Sequence, residues 1–325
     1  MTIGRRRAKL ATMCSAFRHP PLAREPSTPR HYVVEGHSIA VARLAPGLHI
    51  VATPIGNLGD VTLRALQTLA GADLIACEDT RVSRRLLGRY GIVTPLTPYH
   101  EHNAAKARPV LLQRLAEGGA IALVSDAGTP LISDPGFKLV RAAHEAGHGV
   151  TAVPGASALL AALTVAGLPT DQFFFAGFLP PKEAARRARI AELGRIPATL
   201  VLFETGPRLA ATLADLAAGL GSREAVLCRE LTKLHEEVRR GDLATLAQNS
   251  PDSELRGEMV LVVAPPPAPA AASVADTDDL LRAALARLSL KDAVGEVADV
   301  TGLPRRELYR RALMLAKEPH DGAPR

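Results

Sequence analysis

The sequence contains no tryptophan, and aromatic residues make up only 3% of its 325 positions. Single-stranded nucleic acid is commonly held by stacking on aromatic side chains, so this mode of RNA binding is not favoured. No run of about 18 apolar residues is present, as a membrane-spanning helix would need. The three cysteines, Cys14, Cys77 and Cys228, form no Cys-x-x-Cys pair. We therefore expect no disulfide framework and no zinc site, and we predict a protein of the reducing cytoplasm.

Two nucleotide-binding motifs are also missing. The sequence has no G-x-x-x-x-G-K-[ST] loop, and no G-x-G-x-x-G follows its first predicted strand. The only short metal-like motif is His100-Glu101-His102. Two histidines at i and i+2 do not share a helix face, so a polar loop is the simpler interpretation and no metal is expected.

The excess positive charge lies in one segment. The formal net charge is +6, and residues 1–46 contain eight Lys or Arg but only two Glu, so the rest of the chain is balanced. Because this segment is rich in Arg, Pro and Ser and has little periodicity, we predict a disordered basic tail over residues 1–46. A start codon assigned too far upstream is an equal alternative. Any RNA-binding surface must then come from local basic clusters.

The remaining sequence predicts two α/β domains followed by helices. Over residues 47–168, short apolar strands alternate with helical segments, which is typical of a mostly parallel sheet with helices on both faces. Residues 169–264 predict a second α/β domain with a mixed sheet. A Pro/Ala linker spans residues 265–276. The spacing in residues 277–317 suits a helix-turn-helix, although a plain three-helix cap or dimerisation element fits equally well.

Three glycine-bearing turns each follow a predicted strand, at residues 53–60, 125–136 and 154–158. The middle turn is the most informative, since it holds two Gly, two Pro, two Asp and two Ser directly after an apolar run. The carboxyl ends of parallel strands meet at one sheet edge, where small ligands are bound largely by backbone groups. Any one of these turns alone could be an ordinary strand-to-helix connection. Together they predict a ligand site.

These turns, in this order, resemble those of bacterial small-subunit rRNA methyltransferases within the tetrapyrrole methylase superfamily. The similarity runs from about Leu48 to Val263, and the C-terminal helical segment is also similar to the family. Relatives that modify tetrapyrroles carry Gly-Asp-Pro where Gly128-Thr129-Pro130 stands here, which favours the RNA branch. Further matching motifs are Glu78-Asp79-Thr80-Arg81, Gly177-Phe178-Leu179-Pro180, Phe203-Glu204, Arg229-Glu230-Leu231-Thr232-Lys233 and Gly257-Glu258-Met259-Val260.

The resemblance implies an α/β fold of two tetrapyrrole-methylase domains with the cofactor cleft between them, and a homodimer. It also implies S-adenosylmethionine as the cofactor. The implied reaction is methylation of the ribose 2′-hydroxyl of a cytidine in the decoding region of 16S rRNA, so the partner would be 16S rRNA or the small ribosomal subunit. Carried over by motif, the expected cofactor contacts are Pro54, Gly56, Gly128, Thr129, Ile132, Ser133, Ala156, Ser157, Glu204 and Met259.

A ribose hydroxyl is a weak nucleophile, so a base that takes its proton would assist the reaction. Glu78, Asp79, His100 and Glu204 are the candidates, and Asp79 and His100 are slightly favoured. Each has a structural alternative. Glu78 or Asp79 could cap the following helix, and His100 could be an ordinary loop residue.

Local clusters of basic residues are the expected RNA contacts. For a single cluster a solvated charged face is the more common explanation, but together in a methyltransferase they suit phosphate binding. Two other functions stay open from the sequence: a tetrapyrrole C-methyltransferase on the same fold, and a non-catalytic RNA-binding assembly factor. The candidate RNA contacts are Lys182, Arg186, Arg187, Lys233, Arg305, Arg306 and Arg310.

Overall fold

A computed structural model describes residues 30–133, 136–249, 257–267 and 274–316. Contacts between Cα atoms divide the chain into two units, Met1–Ser157 and Ala158–Arg325. The sequence predicts a domain boundary at residue 168. The division instead falls before the helix Ala158–Ala166, which belongs to the second unit.

The first unit begins with a hairpin of β1 (His31–Val34) and β2 (His37–Ala40). Its two turn residues have positive φ angles, 50° and 80°, as tight hairpin turns require. Tyr32 is only 2% exposed and packs in the core of this unit. The prediction of a disordered tail over residues 1–46 is therefore wrong for residues 30–46. The strands are too short for periodicity to reveal, and residues 1–29 lie outside the described part of the chain.

A five-stranded parallel sheet forms the centre of the first unit, as predicted. Its strands are β3 (Gly47–Val51), β4 (Leu74–Cys77), β5 (Leu96–Pro98), β6 (Ala120–Leu123) and β7 (Val150–Val153). Their spatial order is β5-β4-β6-β3-β7, and every neighbouring pair is parallel. The connecting helices are α1 (Leu63–Gly71), α2 (Thr80–Arg89), α3 (Ala104–Ala116) and α4 (Phe137–Glu145), with a 3-10 turn at Leu58–Asp60.

Alternate residues of these strands face two separate apolar cores. Ile75 and Cys77 pack with residues of α1 and α2, while Leu74 and Ala76 pack with residues of α3 and α4. This period of two places helices on both faces, as the sequence predicted. All five strands consequently end at one edge, which carries the turns that follow β3, β6 and β7.

The second unit contains the predicted mixed sheet, in the order β11-β10-β12-β9-β8. The β8–β9 pair is parallel and the other three pairs are antiparallel. Helices α6, α7 and α8 pack against one core of the sheet, and α5 contacts β12. The elements are α5 (Ala158–Ala166), β8 (Phe173–Phe178), α6 (Glu183–Leu193), β9 (Thr199–Thr205), α7 (Gly206–Leu220), β10 (Glu224–Arg229), β11 (Glu237–Asp242), α8 (Leu243–Gln248) and β12 (Glu258–Val263).

Three C-terminal helices share a small core of their own. They are α9 (Val274–Leu285), α10 (Leu290–Thr301) and α11 (Arg305–Leu315). Ser289 caps α10 by accepting a hydrogen bond from the Asp292 N–H, and Gly302 ends it with φ 69°. The helical segment thus begins at residue 274, before the predicted linker end at 276. Residues 268–273 and 317 lie outside the described residues. No helix within the described ranges has the length and apolarity needed to cross a membrane.

Candidate functional site

The three glycine-bearing turns meet at the carboxyl edge of the first sheet, as the sequence predicted. The backbones of Thr53 and Gly128 exchange two hydrogen bonds, with N···O distances of 2.9 and 3.0 Å. The buried Thr53 hydroxyl also donates to Ser125 O at 3.1 Å. The Thr129 hydroxyl donates to Ala156 O at 3.2 Å and so ties the middle turn to the third. One connected backbone surface results.

The middle turn is held in a conformation that costs energy. Leu131 and Ser133 adopt positive φ angles of 74° and 64°, which non-glycine residues rarely do. Such strain costs on the order of 1–3 kcal/mol per residue and clusters where a ligand is bound. Ile132 and Ser133 are exposed, so their side chains are accessible to a ligand. Asp134 and Pro135 of the same turn lie outside the described residues.

The remaining predicted cofactor contacts fall into two groups. Pro54 and Gly56 lie in the first turn, and Ala156 and Ser157 are half-buried in the third. Glu204 and Met259 instead lie opposite each other in the second unit's sheet, and each is 1% exposed.

Glu204 is fully engaged within the second unit. Its Oε1 accepts from the Thr205 N–H at 2.8 Å and its Oε2 accepts from the Thr212 hydroxyl at 2.6 Å. Arg208 adds an ion pair at 3.3 Å. These contacts give Glu204 a structural role.

The two favoured base candidates, Asp79 and His100, have different surroundings in the structure. Asp79 caps α2 by accepting from the Arg81 N–H at 2.8 Å, and the Arg81 guanidinium contacts the same carboxylate at 2.6 Å. These contacts with Arg81 lower the pKa of Asp79 to about 2. A carboxylate with so low a pKa is a poor proton acceptor near neutral pH. The capping role that the sequence left open for Asp79 is the one observed.

His100 keeps a free ring nitrogen. It follows β5 at the same sheet edge, and its backbone N–H donates to Asn103 Oδ1 at 2.9 Å. Its Nδ1 atom is buried and has no hydrogen-bond partner among the described residues. The His102 ring lies edge-on to it, with the ring centroids 6.0 Å apart. Of the two favoured candidates, His100 is therefore the one with a ring nitrogen that no described residue engages.

The predicted RNA contacts on α6 are unequal. Arg186 is buried and pairs with Asp215 at 2.7 Å, so it presents no exposed guanidinium to a phosphate. Arg187 is 62% exposed but also pairs with Asp215, at 2.8 Å, and with Glu183. Lys182 is exposed at the start of the helix. Only the exposed members of this cluster can meet RNA.

The other predicted RNA contacts lie elsewhere in the second unit. Lys233 pairs with Glu230 at 2.9 Å after β10. On α11, Arg305 approaches Asp299 at 3.4 Å. Arg306 and Arg310 are exposed, and within residues 274–316 no ion pair engages them. They lie at i and i+4, so both occupy one side of the helix.

The cysteines of the described chain are structural. Cys77 and Cys228 are buried and unpaired as disulfides. Burial raises the pKa of both thiols, that of Cys228 to about 11. Within the described ranges no group of three or more His, Cys, Asp or Glu side chains could hold a metal ion.

A cavity of about 220 Å³ lies beside the first and middle turns, and sequence reasoning missed it. The one available signal was Asp126, which stands in the middle turn directly after β6. The rest of the lining comes from four other segments of the first unit, whose proximity the sequence does not reveal. The lining residues are Thr53, Pro54, Gly56, Leu58, Leu69, Ile75, Val82, Ser83, Arg85, Leu86, Leu87, Val124, Ser125 and Asp126.

A family model assigns the chain to a class of methyltransferase. Residues 47–247 match the family model of the Tetrapyrrole (Corrin/Porphyrin) Methylases, and residues 271–316 match the RsmI C-terminal HTH domain. Among solved structures, diphthine synthase is similar with a TM-score of 0.54 and 17% identity, covering 67% of this chain and 89% of that chain. The methyltransferase CobJ gives a TM-score of 0.51 and 19% identity, with 67% and 94% covered. At these identities the likeness shows the fold alone.

Relatives of higher sequence identity show which methyltransferase family the chain belongs to. The chain is 50% identical to ribosomal RNA small subunit methyltransferase I of Mesorhizobium japonicum, over 86% of this chain and 95% of the relative. It is 51% identical to the enzyme of that name from Erythrobacter litoralis, over 86% and 99%. The chain belongs to the ribosomal RNA small subunit methyltransferase I family. It is an S-adenosylmethionine-dependent methyltransferase, which confirms the predicted fold class, enzyme class and cofactor.

Proposed function

We propose that the protein methylates the ribose 2′-hydroxyl of a cytidine in the decoding region of 16S rRNA, using S-adenosylmethionine. The observation that carries the proposal is the cluster of three hydrogen-bonded turns at one sheet edge. It occurs in a chain that is about half identical to ribosomal RNA small subunit methyltransferases. Gly128-Thr129-Pro130, where relatives that modify tetrapyrroles carry Gly-Asp-Pro, supports this function over the tetrapyrrole alternative.

The turn cluster fits the cofactor in its chemistry. At Gly128 the φ angle is 78°, and an added Cβ would lie 3.3 Å from Ile55 Cγ2, so a side chain here would crowd the surface. The exposed Ser133 hydroxyl and Ile132 side chain offer one polar and one apolar contact. When bound, the cofactor supplies an activated methyl group on a sulfonium. The turns would fix its orientation, and good alignment can contribute about 7–11 kcal/mol to such a transfer.

Proton removal falls to His100 in this account. Its ring is half-buried at the sheet edge that carries the turns, and its Nδ1 has no hydrogen-bond partner in the described chain, so His100 is our candidate for the base that takes the hydroxyl proton. A positioned base of this kind typically contributes a factor of about 10²–10⁴. Asp79 would cap α2 and form an ion pair with Arg81, and it would not act as the base.

The proposed partner is 16S rRNA, free or within the small ribosomal subunit. Exposed arginines on α11, with Lys182 and Arg187 on α6, suit contacts with phosphates because guanidinium and ammonium groups pair with phosphate oxygens. We further propose that the protein acts in the cytoplasm as a homodimer. Sedimentation equilibrium would test the dimer, and a single species with the mass of one 34.3 kDa chain would refute it.

The reaction is tested with labelled S-adenosylmethionine and two substrates, small ribosomal subunits and free 16S rRNA. We expect label in at least one RNA, and mapping should place it on the ribose of a cytidine. Thr129→Trp should abolish cofactor binding in calorimetry because the new ring fills the turn cluster, while Thr129→Ser keeps the hydroxyl that bonds Ala156 O. Cofactor binding by the wild type with no label in either RNA would refute the proposal.

A further inference from the structure

The cavity in the first unit extends from the sheet edge toward the core. Its inner wall consists of the buried apolar side chains Leu69, Ile75 and Leu87. Its polar groups come from α2 and from the segment after β6, and include Ser83 and Asp126. The cavity is thus an apolar slot with a few polar atoms on one side, which is the usual composition of a small-ligand site.

Two features of the cavity are unexplained by the fold alone. Ser83 is 6% exposed, and the contact of its Oγ is with the weakly polar thiol of Cys77, a poorer partner than an N–H or C=O group. A buried polar atom with only a weak partner is costly, so it calls for an explanation. Leu58 and Val82 line the cavity and remain 41% and 39% exposed. A ligand that enters the cavity would cover both apolar side chains.

The polar pattern matches a cytosine base. Asp126 uses Oδ1 to accept the Asp79 N–H at 2.9 Å, and its other oxygen makes no hydrogen bond within the described chain. That oxygen is an acceptor for the exocyclic amino group of cytosine, which a carboxylate reads well. The exposed Arg85 is a donor for the carbonyl oxygen of the same base. Uracil presents a carbonyl in place of the amino group and would be repelled by Asp126.

We propose that this cavity receives the cytosine of the target nucleotide, with Asp126 accepting from its amino group. The inference rests on the proposed function. Thr53, Pro54 and Gly56 belong both to the cavity and to the first turn of the cofactor cluster. A base held in the cavity therefore places its ribose beside the turns. The volume of about 220 Å³ is below the roughly 300–1,000 Å³ of drug-sized ligand sites, which suits one extruded base and not a macrocycle.

Asp126→Asn tests the proposal by reversing one hydrogen bond. Asparagine keeps an oxygen for the Asp79 N–H and replaces the free oxygen with an NH₂ donor, which suits the carbonyl of uracil. The substrates are 16S rRNA transcripts with the native cytidine or a uridine at the methylated position. We expect the variant to methylate the cytidine transcript at least about tenfold more slowly, and its preference for cytidine over uridine to fall or invert. Asp171→Asn, the same change at an exposed site in the second unit, should leave the methylation rate and the preference for cytidine unchanged.

The outcomes separate this proposal from the proposed function. If the wild type methylates neither transcript nor the small subunit, the function itself is wrong. If the wild type methylates cytidine and Asp126→Asn keeps both its rate and its preference, the base pocket is wrong. A variant that loses cofactor affinity in calorimetry while its preference is unchanged assigns the cavity to the cofactor and also refutes the proposal.

A second variant keeps the test decisive if Asp126→Asn folds poorly. Arg85→Ala removes an exposed side chain of the cavity lining, so the fold should be retained. We expect a KM for RNA raised several-fold with unchanged cofactor affinity. An unchanged KM together with an unchanged kcat would contradict the proposal.

Discussion

Burial decides what individual charged residues do in this protein, and Arg186 is the clearest case. It was expected to contact RNA, but it lies beneath the surface and shares Asp215 with Arg187. Burial opposes ionisation of Asp215, yet hydrogen bonds from Arg187 and Arg186 outweigh it, so the pKa of this carboxyl lies below its usual value. The Arg186–Asp215 ion pair therefore stabilises the second unit.

Asp215→Asn should lower the free energy of unfolding by about 3–5 kcal/mol, because it leaves Arg186 buried without a counter-charge. Urea denaturation at pH 7 measures the loss. Since the pKa of Asp215 is lowered on folding, its stabilisation is full above the carboxyl's usual pKa and is lost as pH falls below it. Glu145→Gln, which breaks the exposed pair with Arg141, should cost at most about 1 kcal/mol. Equal losses in the two variants would contradict the assignment.

The two base candidates make a second prediction at the residue scale. His100→Ala should lower kcat for RNA methylation by a factor of about 10²–10⁴, since the buried Nδ1 acceptor is removed. Asp79→Asn should retain most activity because asparagine also caps helices. His102→Ala, an exposed neighbour, is the matched control. Single-turnover rates with saturating cofactor would decide, and a larger loss for Asp79→Asn than for His100→Ala would reverse the assignment.

Among the elements, the β1–β2 hairpin departs most from what the sequence predicts. Tyr32 and Ile39 are cross-strand partners, but Tyr32 is 2% exposed and Ile39 is 37% exposed. Tyr32→Ala should therefore lower the free energy of unfolding by about 3–5 kcal/mol, as aromatic-to-alanine changes in cores do. Ile39→Ala should cost less than about 1 kcal/mol. Denaturant titration compares them, and a Tyr32→Ala loss as small as that of Ile39→Ala would show that the hairpin adds nothing to the core.

Helix α11 carries the prediction about RNA affinity. Leu308 and Ala312 face the small helical core, while Arg306 and Arg310 are exposed. Replacing both arginines with alanine should weaken binding to 16S rRNA and reduce the slope of log K against log salt by about 2. Arg141→Ala, an exposed arginine of the first unit, serves as the control. An unchanged salt dependence of the double variant would remove α11 from the RNA interface.

The elements also show what a sequence reveals. Strands such as β6 and β12 are continuous apolar runs bounded by turns, so their existence and the parallel first sheet were predictable. The sequence does not predict strand β11 (Glu237–Asp242), because its residues do not alternate between polar and apolar. Its polar side chains pair with each other instead, as in the Arg239–Glu237 contact. The turns could be placed at one edge from the βα pattern. The Asp79–Arg81 pairing and the cavity depend on side-chain packing that no spacing encodes.

At the scale of the whole molecule, the first unit has an apolar core on each face of its sheet, the sheet of the second unit has one, and the C-terminal helices share another. The first unit carries the turn cluster, the cavity and His100, so the groups proposed for cofactor, base and proton lie on one sheet edge. The described basic residues proposed for phosphate contacts lie in the second unit. These two sets of residues are also separate in the sequence, where the glycine-bearing turns come first and the arginine-rich helices last.

The most direct test of the account is the identity of the modified nucleoside. Small subunits and 16S rRNA lacking the modification are incubated with the wild-type protein and S-adenosylmethionine, digested to nucleosides and analysed by mass spectrometry. We expect 2′-O-methylcytidine as the product, at a single position in the decoding region. A methyl group on a base, on another nucleoside, or on no RNA at all would contradict it.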